Sequence, residues 1–139
     1  MTCFSDERPS YAVLGYYLTG CHSTVLIARH ASALAGLAVL RLTWEQGRRI
    51  GIIVFLGVNP VHQGNGMGRR LLREAHHWCQ QAGARRLRLE VAPENLAALT
   101  LYQSHGYRVV DRLPHYYGRG RDGFRMVRPA SWQVRREIR

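Results

Sequence analysis

The spacing of hydrophobic residues changes along the chain, from short apolar runs to a helical period and back. The segments 24–29, 34–43 and 49–58 are rich in Val, Ile and Leu and are separated by small or polar breaks. Runs of this kind are typical of strands, and their short connections favour a three-strand meander. Residues 10–18, which precede Gly20, are predicted to form a short helix.

A helical period begins at Gly68 and continues to Ala82. The apolar positions of this stretch fall on one side of a helix: Leu71, Leu72, Ala75, Trp78, Cys79 and Ala82. The pattern predicts an amphipathic helix that ends at Gly83. Residues 86–91 then alternate apolar and charged positions, which predicts a strand.

A second helix is predicted from Pro93 to His105, with Asn95 as its N-cap and Gly106 just beyond its end. Two further strands are expected over 107–112 and 123–128. The order of elements predicts one α/β or α+β domain over residues 1–139, built around a central sheet.

Composition restricts the class of protein. The chain has 139 residues, of which 46% are hydrophobic, so it is large enough to bury a core. Its apolar runs are shorter than the roughly 20 residues that span a bilayer, and its N-terminus lacks a signal-peptide pattern, so we expect a cytoplasmic protein with no membrane contact. Cys3, Cys21 and Cys79 show no paired spacing, which favours reduced thiols over disulfides or zinc.

The charge is strongly basic. The formal net charge is +11, and all twenty basic residues are Arg. Arg binds phosphate through two parallel hydrogen bonds, so the excess suits a phosphorylated cofactor, an acidic protein or nucleic acid. A GC-rich codon supply is an equally good explanation. The seven His residues show no metal-ligand spacing, and we expect no metal site.

The segment from Val58 to Arg70 is the one that indicates chemistry, because it places three glycines between a buried strand and an amphipathic helix. Backbone amides in such a turn, together with the helix N-terminus, form a concavity that holds a diphosphate. A dinucleotide-binding GxGxxG motif would need Gly at position 69 or 71, where Arg69 and Leu71 stand. A P-loop would need a Lys, which the chain lacks.

These residues resemble the pyrophosphate motif of the GNAT acyltransferases. Gln63, Gly66 and Gly68 follow Gly57-Val58-Asn59-Pro60 in the order of that family. Residues 89–102 and the pair Gly106-Tyr107 are similar to its acceptor-side strand and helix. The resemblance covers residues 23–128. Within the family, residues 89–127 look most like the ribosomal-protein alanine N-acetyltransferases (RimI-like).

The resemblance implies the GNAT fold, with a mixed, mostly antiparallel sheet flanked by helices. It also implies acetyl-CoA as cosubstrate, bound where strand 49–58 splays from strand 86–91. The Val58 amide, or a neighbour in its strand, would hydrogen-bond the thioester carbonyl. Asn95 would hold the pantetheine arm or cap its helix. The residues implied to contact the cosubstrate are Leu56, Val58, Gln63, Gly64, Asn65, Gly66, Met67, Gly68, Arg69 and Asn95.

The resemblance also implies two catalytic residues. Glu90 would accept the proton of the amine through a water, and Tyr102 would protonate the departing thiolate. Tyr116 and Tyr117 would line the acceptor entrance. From the residues alone, the alternative interpretations are a solvated strand carboxylate paired with Arg88 for Glu90, and an aromatic packed between helix and sheet for Tyr102.

The resemblance implies an N-acetyltransferase that acts on a primary amine, with a protein or peptide N-terminus as the leading acceptor. A small-molecule amine is the alternative acceptor, and a non-catalytic module that binds coenzyme A or nucleic acid is favoured by the charge alone. The family usually has a strand and two helices before the first strand matched here. We therefore expect a shortened N-terminal region, and we hypothesise a homodimer that covers the sheet edge.

Overall fold

The computed structural model describes residues 2–5, 11–18 and 22–132, and gives the backbone alone for the first two stretches. These residues form eight strands, two α-helices and one 3-10 turn. In chain order they are β1 (Thr2–Ser5), β2 (Tyr11–Leu18), β3 (Ser23–His30), β4 (Ala33–Glu45), β5 (Arg48–Val58), the 3-10 turn (Pro60–His62), α1 (Met67–Gln81), β6 (Arg86–Val91), α2 (Leu96–Ser104), β7 (Arg108–Leu113) and β8 (Gly123–Pro129).

All eight strands lie in one sheet, in the order β1-β2-β3-β4-β5-β6-β8-β7. The first five strands are neighbours in chain order and pair antiparallel. Only β5 and β6 pair parallel, because α1 carries the chain back between them. The prediction of a mixed, mostly antiparallel sheet with helices packed on it is confirmed.

The helix predicted over residues 10–18 is wrong. Residues Tyr11–Leu18 form β2, which pairs with β3 from Tyr11 opposite His30 to Leu18 opposite Ser23. The segment is apolar at nearly every position, so its periodicity does not separate a helix from a strand. Its tyrosines and Val13 favour strand, Gly15 disfavours a helix interior, and the edge of β3 supplies the hydrogen bonds.

The core lies between the sheet and the two helices. The predicted apolar stripe of α1 is buried except for Ala82, which is half-buried just after the helix ends, and Gly36 and Gly51 let this helix approach the strands closely. A Cβ at Gly51 would stand 2.7 Å from the sulfur of Cys79. Burial raises the pKa of the Cys79 thiol to about 12, so it is a packed thiol and not a nucleophile. Cys3 and Cys21 lie outside the residues whose side chains are described.

The sheet opens at one end between β5 and β6. Their pairing covers only Ile50 opposite Arg86 to Ile53 opposite Leu89, although both strands continue further. A register shift between β4 and β5 leaves Val54 without a partner in β4. Such a bulge bends a strand and redirects its side chains. The predicted splay between β5 and β6 is therefore present.

The second helix begins at Leu96, three residues later than predicted, and its N-cap is Asn95 as expected. The Asn95 side chain accepts a hydrogen bond from the Ala98 amide at 3.2 Å. Gly106 follows the helix with a positive φ of 87°. None of the helices in the described residues is long and apolar enough to cross a membrane.

Candidate active site

The turn between β5 and α1 is held open by its own polar side chains. The Asn59 side chain accepts from the Val61 amide at 3.1 Å, and the Gln63 side chain donates to the Val58 carbonyl at 3.1 Å. The N-cap of α1 is Gly66, and no side chain caps the first amides of this helix. Those amides have no partner within the helix either, so they can donate to an anion.

Two glycines make the turn accessible. Gly64 and Gly66 have φ angles of 85° and 78°, a left-handed conformation that favours glycine. A Cβ at either position would meet no atom within 4 Å, so open space lies against the backbone there. Arg69 is exposed beside the turn, while Arg70 pairs with Glu74 one turn further along α1 at 3.8 Å.

A cleft of about 680 Å³ opens at the splayed end of the sheet, between this turn and α2. Every predicted cofactor residue except Asn65 lines it, and Asn65 lies in the same turn. Sequence reasoning missed three residues of α2. The lining residues are Leu56, Val58, Gln63, Gly64, Gly66, Met67, Gly68, Arg69, Asn95, Ala97, Ala98 and Leu101. The spacing of the missed residues along the predicted helix could have found them, since all three follow Asn95 on one face.

Tyr102 follows Leu101 on α2 and is only 8% exposed. Its ring packs edge-on against Tyr107, with the centroids 5.7 Å apart. Burial raises the pKa of the Tyr102 phenol, and the nearby Tyr117 raises it further. Tyr102 therefore stays protonated at neutral pH and can act as a proton donor. It is also packed in the core between helix and sheet, and its role as general acid stays a prediction.

Tyr107, beneath Tyr102, is fixed by a buried hydrogen bond. Its hydroxyl lies 2.9 Å from Nε2 of His76 on α1. Burial, together with Arg128 and His105 nearby, lowers the pKa of His76 to about 3, so the imidazole is neutral. The Arg128 guanidinium lies 5.8 Å from the Tyr107 ring centre. This arrangement joins α1, α2 and β8 behind Tyr102.

Glu90 lies on β6, and its side chain is 12% exposed. Its Oε1 atom lies 3.3 Å from both Nε and Nη2 of Arg125, the residue directly opposite on β8. The Nε atom of Arg88 is 3.8 Å from the same oxygen. Arg88 is thus a partner of Glu90, as one interpretation of the sequence held, but Arg125 is the closer one.

Tyr116 and Tyr117 lie in the exposed loop between β7 and β8. This loop joins the sheet at the end where β6 finishes with Val91, which is opposite Phe124 of β8. Their rings meet edge-on at 4.8 Å. Burial raises the pKa of Tyr117, and Tyr116 and the Glu90 carboxylate raise it further. Tyr117 thus interacts electrostatically with both Glu90 and Tyr102. Asp122 braces the loop by accepting from Arg112 at 2.7 Å and from the His115 amide at 3.1 Å.

The splayed end of the sheet therefore carries a turn whose free amides can donate to an anion, beside a cleft that reaches α2; Glu90 and Tyr102 are not among the residues that line this cleft. Residues 2–107 match the Acetyltransferase (GNAT) family. The chain belongs to the GNAT acetyltransferase family. The match starts at residue 2, earlier than the residue 23 that the sequence suggested, so the first strands also belong to it.

Known relatives agree with this membership. The chain is 43% identical over 127 residues to the N-alpha-acetyltransferase RimI of Mycobacterium tuberculosis, which covers 91% of this chain and 78% of the relative. A crystal structure of the NatC complex bound to Gag peptide and CoA superposes with a TM-score of 0.72 at 27% identity, over 76% of this chain and 70% of that chain.

The ribosomal-protein-S18-alanine N-acetyltransferase of Escherichia coli shares the fold of this GNAT chain. It superposes with a TM-score of 0.71 at 24% identity, over 86% of this chain and 77% of that chain. The protein is an acetyl-CoA-dependent N-acetyltransferase.

Proposed function

We propose that this GNAT enzyme acetylates the α-amino group at the N-terminus of a protein or peptide. The observation that carries the proposal is the 43% identity to an N-alpha-acetyltransferase, which extends over 91% of the chain. An alignment of that length includes both the turn that would bind the cosubstrate and residues 89–102, which resemble the acceptor side of the family. The similarity is therefore not limited to the cosubstrate site.

The turn from Gln63 to Arg69 would hold the diphosphate of acetyl-CoA. The free amides of the first turn of α1 donate to its oxygens, and Arg69 adds a full positive charge. The pantetheine arm would lie along the cleft between Leu56 and Val58 on one side and Ala98 and Leu101 on the other. This path brings the thioester to the end of the splay, where a backbone amide of β5 donates to its carbonyl oxygen.

Glu90 would act as the base and Tyr102 as the acid. An α-amine must lose a proton before or during its attack on the thioester, and Glu90 takes that proton through a water. The amine attacks the thioester carbon and forms the C–N bond of a tetrahedral intermediate; as this intermediate collapses the C–S bond breaks, and the sulfur takes its proton from the Tyr102 hydroxyl. Tyr116 and Tyr117 would contact the acceptor where it enters.

The proposal is tested by acetyl-CoA-dependent thiol release with alanine- and serine-starting peptides, beside a polyamine and an aminoglycoside. We expect release with the peptides, and none when their N-terminus is blocked. Glu90→Gln and Tyr102→Phe should each lower the peptide-dependent rate about 100-fold or more. Release with the polyamine or the aminoglycoside alone would assign a small-molecule acceptor instead.

A further inference from the structure

The Glu90 carboxylate belongs to a row of four charged side chains. Arg88 on β6 contacts the carboxylate of Glu45 on β4 and lies 3.8 Å from Glu90, and Glu90 pairs with Arg125 on β8. We call Glu45, Arg88, Glu90 and Arg125 the ionic row. Leu87, Leu89 and Val91, which alternate with Arg88 and Glu90 along β6, pack into the helix-side core. The ionic row therefore lies on the sheet face opposite the helices.

The contacts of Glu90 are asymmetric. Both Arg125 donors and the Arg88 Nε approach Oε1, and the described residues give Oε2 no partner. Because these contacts hold Oε1 in place, they also fix the direction in which Oε2 points. Arg88 is engaged by Glu45, so it leaves Arg125 as the main partner of Glu90.

Arg125 is well placed to fix that direction. It is the register partner of Glu90, and β8 is hydrogen-bonded on both sides, to β6 and to β7. The backbone that carries Arg125 is therefore held from two directions. Its two donors converge on one oxygen as a rigid planar fork, which a Lys could not supply.

We propose that Arg125 is a positioning residue, which holds Oε1 of Glu90 so that Oε2 faces the amine of the acceptor or the water that relays its proton. This inference rests on the proposed role of Glu90. Arg88 stays 3.8 Å from the Glu90 carboxylate when Arg125 is replaced, so the charge of Glu90 is not left without a cation beside it. The enzyme should therefore fold without Arg125 and lose the alignment of its base instead.

The test compares Arg125→Met with Arg86→Met in the peptide assay. Arg86 is an exposed residue of β6, on the same face as Arg88 and Glu90, so its replacement removes the same charge as Arg125→Met without touching the pair. We expect Arg125→Met to lower kcat about tenfold, with the KM for acetyl-CoA and the unfolding temperature unchanged. Arg86→Met should match the wild type, and Arg125→Lys should be intermediate because it keeps the charge without the fork.

A double-variant cycle separates positioning from a structural role. In the Glu90→Gln background, Arg125→Met should cause no further loss, since there is no base left to align. Adding Glu45→Gln to Arg125→Met should restore part of kcat, because Arg88 is then released to Glu90.

Several results would overturn the inference. These are an unchanged kcat in Arg125→Met, or losses that multiply when Arg125→Met and Glu90→Gln are combined. A wild type that does not acetylate peptides refutes the proposed function. A Glu90→Gln enzyme with full activity refutes the role of Glu90, and the positioning role with it. Independent losses in an active peptide acetyltransferase refute the positioning role alone.

Discussion

Tyr102 and Tyr107 are five residues apart in the sequence and 5.7 Å apart between ring centres, yet their hydroxyl groups have different surroundings. The Tyr107 hydroxyl is committed to His76, whereas the described residues offer the Tyr102 hydroxyl no hydrogen-bond partner. A hydroxyl without a structural partner is free to donate to a substrate. The sequence indicated Tyr102 through the family resemblance, but no pattern in the sequence pairs Tyr107 with His76, because 31 residues separate them.

Phenylalanine at each position should separate these tasks. We expect Tyr102→Phe to lower kcat about 100-fold with little change in unfolding temperature, since it removes only the proton donor. Tyr107→Phe should instead cost about 1 kcal/mol of stability through the lost hydrogen bond, with a smaller effect on kcat. Steady-state kinetics and denaturant unfolding of both variants check this. The opposite distribution of effects would exchange the two roles.

His76 should make stability depend on pH. Its pKa is about 3 in the folded protein, below the ordinary value of 6.5 expected in the unfolded chain. Below pH 6.5 the unfolded chain therefore binds a proton that the folded protein does not. Stability is complete above pH 6.5 and declines as the pH falls towards 3, by up to about 1.4 kcal/mol per pH unit.

Urea unfolding at a series of pH values tests the contribution of His76. His76→Gln keeps a polar atom near the Tyr107 hydroxyl but does not titrate, so its stability should decline less between pH 6.5 and pH 4. Wild type and variant with parallel pH profiles would show that His76 binds its proton equally well in the folded state.

At the scale of elements, the predictions succeeded where one apolar face was buried. The spacing of α1 and the alternation of β6 follow from a buried stripe of Leu71, Leu72 and Cys79 and a buried row of Leu87 and Leu89. Both patterns are readable because the opposite face meets water. In residues 10–18 almost every position is apolar, so the partner strand decided the structure. The splay was predicted from the family resemblance, since no local pattern in the sequence indicates where two strands that are distant along the chain stop pairing.

Gly68 in the first turn of α1 should respond to alanine in two opposite ways. A Cβ there would lie 3.6 Å from Leu101 and 3.8 Å from Val58, which are ordinary packing distances. Alanine in a helix is favoured over glycine by about 1 kcal/mol, so Gly68→Ala should not destabilise the fold. Both neighbours line the cleft, however, so the added methyl narrows it.

We therefore expect Gly68→Ala to unfold at the same or a higher temperature and to bind coenzyme A more weakly. Thermal unfolding and calorimetric titration with coenzyme A measure the two effects. Gly83→Ala, just beyond the other end of α1, is the control for affinity alone. It does not line the cleft and should leave coenzyme A binding unchanged, although the φ of 88° at Gly83 strains an alanine and should lower the unfolding temperature. Unchanged affinity in Gly68→Ala would place the cosubstrate elsewhere.

At the scale of the whole molecule, the net charge of +11 should act on the cosubstrate before it is bound. Acetyl-CoA carries several negative charges on its phosphates, and a basic protein attracts it over about a Debye length. We expect the KM for acetyl-CoA to rise between about 0.05 M and about 0.5 M salt, with kcat unchanged. A KM that does not change with salt would show that the arginines do not attract acetyl-CoA and that their charge serves other partners. The homodimer stays a prediction, which sedimentation would test.

We expect this GNAT enzyme to transfer acetyl to the α-amine of a peptide. The most direct measurement is fragmentation mass spectrometry of an alanine-starting peptide that also contains one lysine, after incubation with acetyl-CoA and enzyme. We expect a single acetyl group on the N-terminal nitrogen. Acetylation of the lysine side chain, or an unmodified peptide beside an acetylated polyamine, would contradict it.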